Sequence, residues 1–388
     1  MTRLPAVTPP PAERRPFGRG AAVSPFCLGT MRATGSAEQM AAVLTAAMAA
    51  GINHVETAPA YGMAERHLGQ ALRTLSARDR DAHADLVITS KLLPGISLQE
   101  GQDQLRELLQ RLGLPRLHNL AVHGLNRPEH LSWAIEGAGG ELLTWALDTN
   151  LVGQVGFSSH GSNSLIEQAL ASGRFSFCSL HVHLFDQTRL PIAQAALRAG
   201  IGVLAISPAD KGGRLYAPSP ELLADCAPFH PLELAYRFLL DAGISTLTLG
   251  AEQPSDLALA QKLSGAATPW LSDAHHAALS RLQAAERERL GAEACGQCRA
   301  CLPCPNAVPI PELLRLRNLA IGHGMNAFAQ ERYNLIGRAG HWWEELNASA
   351  CQRCGDCLPR CPNQLPIPDL LADTHQRLAA APRRRLWG

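Results

Sequence analysis

The chain has 388 residues, of which 46% are hydrophobic, and its formal net charge is +1 at neutral pH. This length can hold one large and one small domain, and the composition provides a sizeable core. The small net charge gives no electrostatic footprint for nucleic acid or an anionic membrane surface, and no apolar run reaches transmembrane length. The proline-rich start does not resemble a signal peptide, and residues 1–14 are expected to form a disordered arm.

From residue 23 to about residue 265, short apolar runs alternate with segments of helical periodicity. Strands rich in Val, Ile and Leu, each followed by a helix, predict parallel pairing with both faces covered. Eight such units predict a closed (β/α)8 TIM barrel over residues 15–290, with an open doubly wound sheet as the alternative. The predicted strands are Val23–Met31, His54–Ala58, Leu86–Leu92, Asn119–Leu125, Val152–Ser159, Phe175–Leu184, Val203–Pro208 and Thr246–Gly250.

The eleven cysteines are unevenly distributed along the chain. Cys27, Cys178 and Cys226 are scattered through the predicted barrel and are expected to be ordinary buried thiols. The other eight fall between Cys295 and Cys361. Dense cysteine clusters on a large chain indicate metal binding in the reducing cytoplasm rather than a secreted disulfide framework.

The eight late cysteines form two similar runs, and the phrases CPNAVPIPELL and CPNQLPIPDLL repeat around the last cysteine of each run. Three closely spaced thiolates can bind three corners of a [4Fe–4S] cubane. In two-cluster ferredoxins, the distant cysteine before a proline ligates the other cluster. The runs therefore predict two [4Fe–4S] clusters in a small, mainly helical ferredoxin-like domain over residues 291–388. The predicted ligands are Cys295, Cys298, Cys301 and Cys304 in the first run, and Cys351, Cys354, Cys357 and Cys361 in the second.

Zinc is the alternative metal for these runs. It prefers tetrahedral sets of four ligands, commonly built from two separated Cys-x-x-Cys pairs, and two triplets with trailing Cys-Pro pairs suit it poorly. The first run departs from the usual ferredoxin spacing, because two residues rather than three separate Cys301 from Cys304.

The segment GINHVETAPAYGMAERHLGQAL, residues 51–72, covers the second predicted strand and its following helix. It resembles the hallmark of the aldo-keto reductase family, which has Asp-Thr-Ala, Tyr-Gly and Glu-x-x-Leu-Gly at this spacing. ITSKL resembles the lysine motif of the family, LAVHGL its histidine strand, and VGQVGFSS and LAISPADKGGRL its later cofactor-facing strands. The resemblance covers about residues 14–263, and the cysteine runs resemble the iron–sulfur-bearing branch of the family.

This resemblance implies an oxidoreductase that reduces a small carbonyl compound, or oxidises an alcohol, with NADP(H) or NAD(H). It implies Tyr61 as general acid, with Lys91 beside it, His123 orienting the carbonyl and Glu56 holding Lys91. All four lie at or just past the C-terminal ends of predicted strands, where barrel active sites form. The Lys91 ammonium is expected to favour the phenolate and lower the pKa of Tyr61 from about 10.

The resemblance also implies cofactor contacts on the later strands. Two serines face the nicotinamide amide, a glycine and an alanine after the eighth strand approach the phosphates, and a serine and a lysine lie after the seventh strand. These candidates are Ser158, Ser159, Gly250, Ala251, Ser207 and Lys211.

Three positions depart from the family pattern. Glu56 stands in place of aspartate, Ser159 in place of asparagine, and Ile206 in place of an aromatic residue that stacks on the nicotinamide. In addition, the segment AEQPSDLALA after the eighth strand has no basic residue for a 2′-phosphate. The sequence therefore does not distinguish NADP(H) from NAD(H).

Two functions remain open at this point, because nicotinamides pass two electrons as hydride whereas iron–sulfur clusters pass one at a time. In the first, an oxidoreductase carries clusters that exchange electrons with a partner protein, sense redox state or brace their domain. In the second, an electron-transfer or redox-sensing protein is built on a barrel that no longer turns over.

Overall fold

A computed structural model describes residues 13–78, 84–265, 269–337 and 346–381. The predicted N-terminal arm lies outside these residues except for Glu13 and Arg14. By their contacts the residues fall into two compact units, the first comprising 1–208 and 235–270 and the second 209–234 and 271–388.

The first unit contains a closed barrel of parallel strands, in which neighbouring strands are consecutive in sequence and β8 pairs with β1. This confirms the predicted barrel and excludes the open sheet. The strands are β1 (Phe26–Gly29), β2 (His54–Glu56), β3 (Val87–Leu92), β4 (Leu117–His123), β5 (Val152–Ser159), β6 (Phe177–Leu180), β7 (Gly202–Ala205) and β8 (Thr246–Gly250).

Helices follow the strands as the alternating pattern predicts. Several begin with a serine whose hydroxyl accepts a backbone N–H of the first turn, which satisfies a donor that would otherwise lack a partner. These helices are α1 (Ala37–Ala49), α2 (Ala64–Arg78), α3 (Leu98–Leu112), α4 (Pro128–Ile135), α5 (Ala138–Asp148), α6 (Asn163–Ala171), α7 (Leu190–Arg198), α8 (Pro220–Cys226), α9 (Pro231–Asp241) and α10 (Ala258–Ser264).

Five strands are shorter than predicted, namely β1, β2, β3, β6 and β7, and the two largest differences, at β1 and β6, have local causes. Val23 does not extend β1, because it pairs antiparallel with Arg15 through backbone hydrogen bonds of 2.8 and 2.9 Å. After β6, His183 and Asp186 exchange two backbone hydrogen bonds of 3.1 Å in a tight turn, which ends the strand early.

The Arg15–Val23 hairpin belongs to the core of the barrel. Phe17 is fully buried and packs with Cys27 and Phe177 from the strands. Arg15 donates from its guanidinium to the carbonyl oxygens of Leu240 and Ile244, which lie just before β8. The hairpin therefore joins the beginning of the barrel to its last strand.

Buried polar side chains link four successive strands. His54 Nε2 lies 2.7 Å from Thr89 Oγ1, which also accepts from Asn119 Nδ2 at 2.9 Å. Gln154 Nε2 donates to Asn119 Oδ1 at 2.8 Å and to the Phe17 carbonyl oxygen at 2.9 Å. Burial lowers the pKa of His54 to about 3, so the imidazole is neutral at physiological pH and adds no charge to the core.

The second unit is mainly helical. Helix α12 packs against its neighbours in this unit, and its buried Arg317 pairs with Glu293 and with Asp373. The further helices are α11 (Asp273–Leu290), α12 (Ile310–His323), α13 (Asn326–Leu335) and α14 (Ile367–Leu378). Within the described ranges, none of the helices combines the length and the apolar character needed to cross a membrane.

Candidate functional site

Four candidate catalytic side chains meet at the C-terminal rim of the barrel. Glu56 ends β2, Lys91 is the penultimate residue of β3, and His123 ends β4. Tyr61 follows β2 in a turn that is closed by its N–H donating to the Ala58 carbonyl oxygen at 3.0 Å. Because parallel strands bring these ends to one rim, the four residues are assembled from three separate segments.

Lys91 lies at the centre of this group. Its Nζ is 2.7 Å from Tyr61 Oη and 2.8 Å from Glu56 Oε1, and it donates to the Thr57 carbonyl oxygen at 3.4 Å. The Lys91 and Glu56 side chains are 2% and 5% exposed, so the ion pair is buried. The rings of Tyr61 and His123 meet edge-on, with centroids 5.7 Å apart at 87°. Glu56 therefore reaches Lys91 although it is one methylene longer than the aspartate of the family.

The protonation of Tyr61 differs from the expectation. Burial raises the pKa of Tyr61 more than Lys91 lowers it, and Glu56 adds to the rise. Lys91 acts in the expected direction, but the net pKa of Tyr61 rises instead of falling, because sequence could not weigh burial against charge. Burial also disfavours the charged form of Lys91, but Glu56 and Tyr61 outweigh it and raise the pKa of Lys91. At neutral pH the site presents a neutral phenol beside an ammonium group, which is the state of a proton donor.

The Glu-x-x-Leu-Gly part of the motif positions the segment that carries Tyr61. Glu65 is buried and accepts from Ser90 Oγ at 2.9 Å and Arg111 Nε at 2.7 Å. A Cβ on Gly69 would lie 1.9 Å from the Arg111 carbonyl oxygen, so α2 can pack on the end of α3 only with glycine there. Because α2 begins directly after the Tyr61 turn, these contacts fix where the phenol lies.

Ser158 and Ser159 hold the loop after β4. The Gly124 N–H donates to Ser158 Oγ at 3.0 Å, and Ser159 Oγ donates to the Leu125 carbonyl oxygen at 2.6 Å. Ser159 is fully buried. The two serines thus join the ends of β4 and β5. Both hydroxyls take part in hydrogen bonds within the protein.

The other candidate cofactor residues lie in different places. Ser207 has a left-handed backbone, with φ of 48°, directly before Pro208 at the end of β7. Gly250 ends β8 and Ala251 follows it, fully buried. Lys211 belongs to the second unit.

Sequence reasoning missed three buried hydroxyls on β6 and β8. Among the described residues, Ser179 Oγ, Thr246 Oγ1 and Thr248 Oγ1 have no hydrogen-bond partner. Ser179 shares the face of β6 with the core residue Phe177, because alternate strand residues point to the same side. They could have been identified from the sequence, because each is a polar residue at a core-facing position of an otherwise apolar strand.

Three histidines form a row after β5 and β6. The His160 and His181 ring centroids are 4.4 Å apart, and those of His181 and His183 are 5.4 Å apart. His183 Nε2 lies 3.0 Å from the Ile206 carbonyl oxygen. His160, which follows β5, therefore lies against the two histidines that follow β6.

The two cysteine runs in the second unit share three backbone features. In each run, the residue before the second cysteine, the residue after it and the third residue after the last cysteine adopt positive φ, which is uncommon for residues other than glycine. The pairs are Gln297 and Arg353 (57° and 56°), Arg299 and Gly355 (63° and 85°), and Ala307 and Gln364 (52° and 51°).

Hydrogen bonds repeat between the runs in the same way. The Ala307 N–H donates to the Cys304 carbonyl oxygen at 3.0 Å, and the Gln364 N–H donates to that of Cys361 at 3.1 Å. Helices α12 and α14 then begin at equivalent positions, each with a proline in its first turn, where a missing N–H costs little. The sequence repeat is therefore a structural repeat.

The last cysteine of the first run lies with the second run. Cys304, Cys351, Cys354 and Cys357 line one cleft with about 310 Å³ of space, open solvent included. Burial raises the pKa of Cys357, and the thiols of Cys351, Cys354 and Cys304 add to the rise.

In turn, a cysteine of the second run, Cys361, affects the pKa of a thiol in the first run. Burial raises the pKa of Cys295, and the Cys298 and Cys361 thiols add to this rise. Burial raises the pKa of Cys301 to about 11, with a further contribution from Cys295. In the part of the chain that the structure describes, no three His, Cys, Asp or Glu side chains form a group that could hold a single metal ion.

Comparisons with known proteins address the barrel. A model of the aldo/keto reductase family matches residues 25–221. An aldo-keto reductase from Bacillus halodurans, AKR11C1 in its holo form, is similar with 18% identity and a TM-score of 0.60, covering 70% of this chain and 96% of that one.

Two solved structures described as putative aldo-keto reductases from Pseudomonas aeruginosa are also similar. One has 24% identity and a TM-score of 0.51, covering 65% of this chain and 94% of that one. The other has 22% identity and a TM-score of 0.53, covering 67% and 99%. At these identities the likeness shows the fold alone. No curated protein matches the chain.

Proposed function

The chain belongs to the aldo/keto reductase family, and on this premise we propose that it reduces a small carbonyl compound with NADPH or NADH, or oxidises an alcohol in reverse. The observation that carries this proposal is the 2.7 Å contact between Lys91 Nζ and Tyr61 Oη, next to a buried carboxylate. A bound nicotinamide supplies hydride to the carbonyl carbon. The protein must then supply a proton to the oxygen.

Tyr61 is the proposed proton donor. Its phenol is neutral at physiological pH, since burial raises its pKa. As charge develops on the carbonyl oxygen, the phenol gives up its proton, and the adjacent Lys91 ammonium stabilises the resulting phenolate. His123 is the residue proposed to orient the carbonyl group, and its edge-on contact with the Tyr61 ring supports this role. Glu56 keeps Lys91 charged and fixes its direction.

The rim of the barrel fits a dinucleotide cofactor in two respects. Gly29 and Gly250 pair at the ends of β1 and β8, so the backbone there can be approached closely. The hydroxyls of Ser179 and Thr248 are buried and lack partners in the described part of the chain, and such groups are usually satisfied by a ligand or water. Ser158, Ser159, Ser207, Gly250, Ala251 and Lys211 are the proposed contacts.

The proposal includes two [4Fe–4S] clusters in a ferredoxin-like domain over residues 291–388. The backbone features that the two runs share, and the position of Cys304 in one cleft with the second run, support this assignment. Each cluster would take three thiolates from one run and one from the other. A cubane is wider than a single ion, so its thiol ligands lie farther apart than those of a one-metal site. The clusters supply one-electron chemistry, for which an electron-transfer protein in the reducing cytoplasm is the proposed partner.

Replacing the phenol tests the proposal. We expect Tyr61→Phe to lower kcat for carbonyl reduction by about 10²–10⁴-fold, because general acid catalysis typically contributes that much. Dinucleotide affinity, measured by fluorescence titration, should stay unchanged. Tyr236→Phe is the matched control, because Tyr236 of α9 is also buried but packs against Phe26, the first residue of β1 and so at the end of the strand opposite the rim.

A second candidate function is electron transfer or redox sensing on a barrel without turnover, and the paired cysteine loops favour it. It predicts that Tyr61→Phe changes no measurable activity while both clusters stay intact. That result would reject the reductase proposal and leave this one.

A further inference from the structure

The loop after β1 carries an arginine to the end of β8. Arg32 is the last residue of a short 3₁₀ helix, Thr30–Arg32, which directly follows β1. A Cβ on Gly250 would lie 2.9 Å from Arg32 Cδ and 3.0 Å from its Nε. The lack of a side chain at Gly250 is therefore what lets Arg32 lie across the end of β8.

The position of this loop is fixed by a glutamine of α1. Gln39 Nε2 donates to the Glu252 carbonyl oxygen at 2.9 Å, and Gln39 Oε1 accepts from the Gly35 N–H at 2.9 Å. One side chain thus ties the loop that contains Arg32 to the loop that follows β8. Such a tie preorganises Arg32 at this point of the rim.

The segment after β8 does not offer an anion site of its own. The Asp256 carboxylate accepts from the N–H groups of Glu252 and Gln253 at 2.8 and 3.1 Å, so these donors are already used. Residues 251–261 contain two acids and neither lysine nor arginine. A phosphate at this part of the rim therefore needs a cation from another segment.

We infer that Arg32 binds a phosphate group of the dinucleotide cofactor beside the Gly29–Gly250 pair. The inference rests on the proposed function, because it requires a nicotinamide dinucleotide at this rim. A guanidinium presents a planar fork of donors that matches phosphate oxygens, and the two glycines leave room for the phosphate to approach. The phosphate is either the pyrophosphate, which both dinucleotides have, or the 2′-phosphate of NADPH.

Direct binding titrations with NADPH and NADH test this inference on the full-length protein. We expect Arg32→Ala to weaken binding about 10–100-fold, the range for a lost charge-assisted hydrogen bond. Equal weakening of both dinucleotides assigns the pyrophosphate, whereas weakening of NADPH alone assigns the 2′-phosphate. Arg106→Ala on α3 is the control, because Arg106 is exposed and pairs with Asp103.

A second variant disturbs the contact between Arg32 and Gly250 by changing Gly250 instead of Arg32. Gly250→Ala places a methyl group where Arg32 now lies, and it should weaken binding in the same pattern with an unchanged unfolding transition. Unchanged binding of both dinucleotides by Arg32→Ala would overturn the inference. Wild-type protein that binds neither dinucleotide would instead overturn the proposed function itself, so the two failures are distinguishable.

Discussion

Glu56 and Lys91 act on the Tyr61 phenol in opposite directions. Lys91 lowers the pKa of Tyr61, whereas burial and Glu56 raise it, and the rise prevails. Glu56 also raises the pKa of Lys91. The buried Glu56 carboxylate therefore helps to set the pH range in which the phenol stays protonated.

This balance predicts the effect of Glu56→Gln. Removing the carboxylate takes away a charge that raises the pKa of Tyr61, so this pKa should fall. Reduction needs the protonated phenol and is lost as pH rises through that pKa, so the alkaline loss of kcat/KM should begin at lower pH in the variant. A pH–rate profile checks this, with Glu107→Gln as a control on an exposed face of α3. An alkaline limit that stays fixed or moves upward would contradict the assignment.

At this scale the sequence identified candidate residues that the fold brings together, but not their electrostatics. Tyr61, Lys91 and His123 each lie within a few residues of a strand end, so a local motif was enough to find them. Arg32 escaped notice because the strand end that it crosses is more than 200 residues away in sequence. The pKa of Tyr61 was misjudged because burial is a property of the folded surroundings.

At the scale of elements, the contact between α2 and α3 shows how a motif glycine can serve packing. The Cβ that Gly69 lacks would overlap the Arg111 carbonyl oxygen, which belongs to the backbone and cannot rotate away. The neighbouring Glu65 holds Ser90 and Arg111 at the same junction. This part of the family pattern is therefore explained by close approach of two helices.

Gly69→Ala should destabilise the protein by about 1–3 kcal/mol or more, because overpacking against fixed backbone forces the helices apart. Denaturant unfolding followed by circular dichroism measures the change. Gly265→Ala is the matched control, since an added Cβ there meets nothing within 4 Å. Equal stability of the two variants would show that α2 can shift without cost.

The strands and most helices could be predicted because their apolar periodicity is local. The Arg15–Val23 hairpin could not, since a single antiparallel bridge leaves no repeating pattern in the sequence. The hydrogen-bonded series of buried side chains from His54 to Gln154 could not be predicted either, because its members are separated in sequence by whole strand–helix units. Such polar contacts are readable only when the register of neighbouring strands is known.

At the scale of the whole molecule, the barrel and the cysteine-rich unit carry separable proposals. The first depends on Tyr61 and the rim of the barrel, and the second on thiols between Cys295 and Cys361. The sequence repeat predicted the equivalence of the two runs because each repeats the Cys-x-x-Cys-x-x-Cys spacing, the Cys-Pro-Asn phrase and the proline positions. The shorter spacing before Cys304 left open whether this cysteine extends to the second run. In the structure, Cys304 lines the same cleft as Cys351, Cys354 and Cys357.

Metal analysis after anaerobic purification tests the second proposal. Two [4Fe–4S] clusters correspond to about eight irons and eight acid-labile sulfides per chain. Cys361→Ala and Cys298→Ala should both deplete the first cluster and leave about half the iron, because both are ligands of that cluster in the proposed arrangement. Cys178→Ala, which removes a buried thiol of the barrel core, should retain all of it. A protein that contains zinc alone would reject the cluster assignment.

The hairpin at residues 15–23 also bears on how the chain is made. Arg15 leaves the ribosome well before Leu240, because the Leu240 carbonyl oxygen that it needs is synthesised 225 residues later. The hairpin must therefore wait, with its apolar Phe17 uncovered, until nearly the whole barrel has emerged. Closure of the barrel by this hairpin is therefore a late event in synthesis, and nascent chains that stall before residue 240 should be the ones that depend on chaperones.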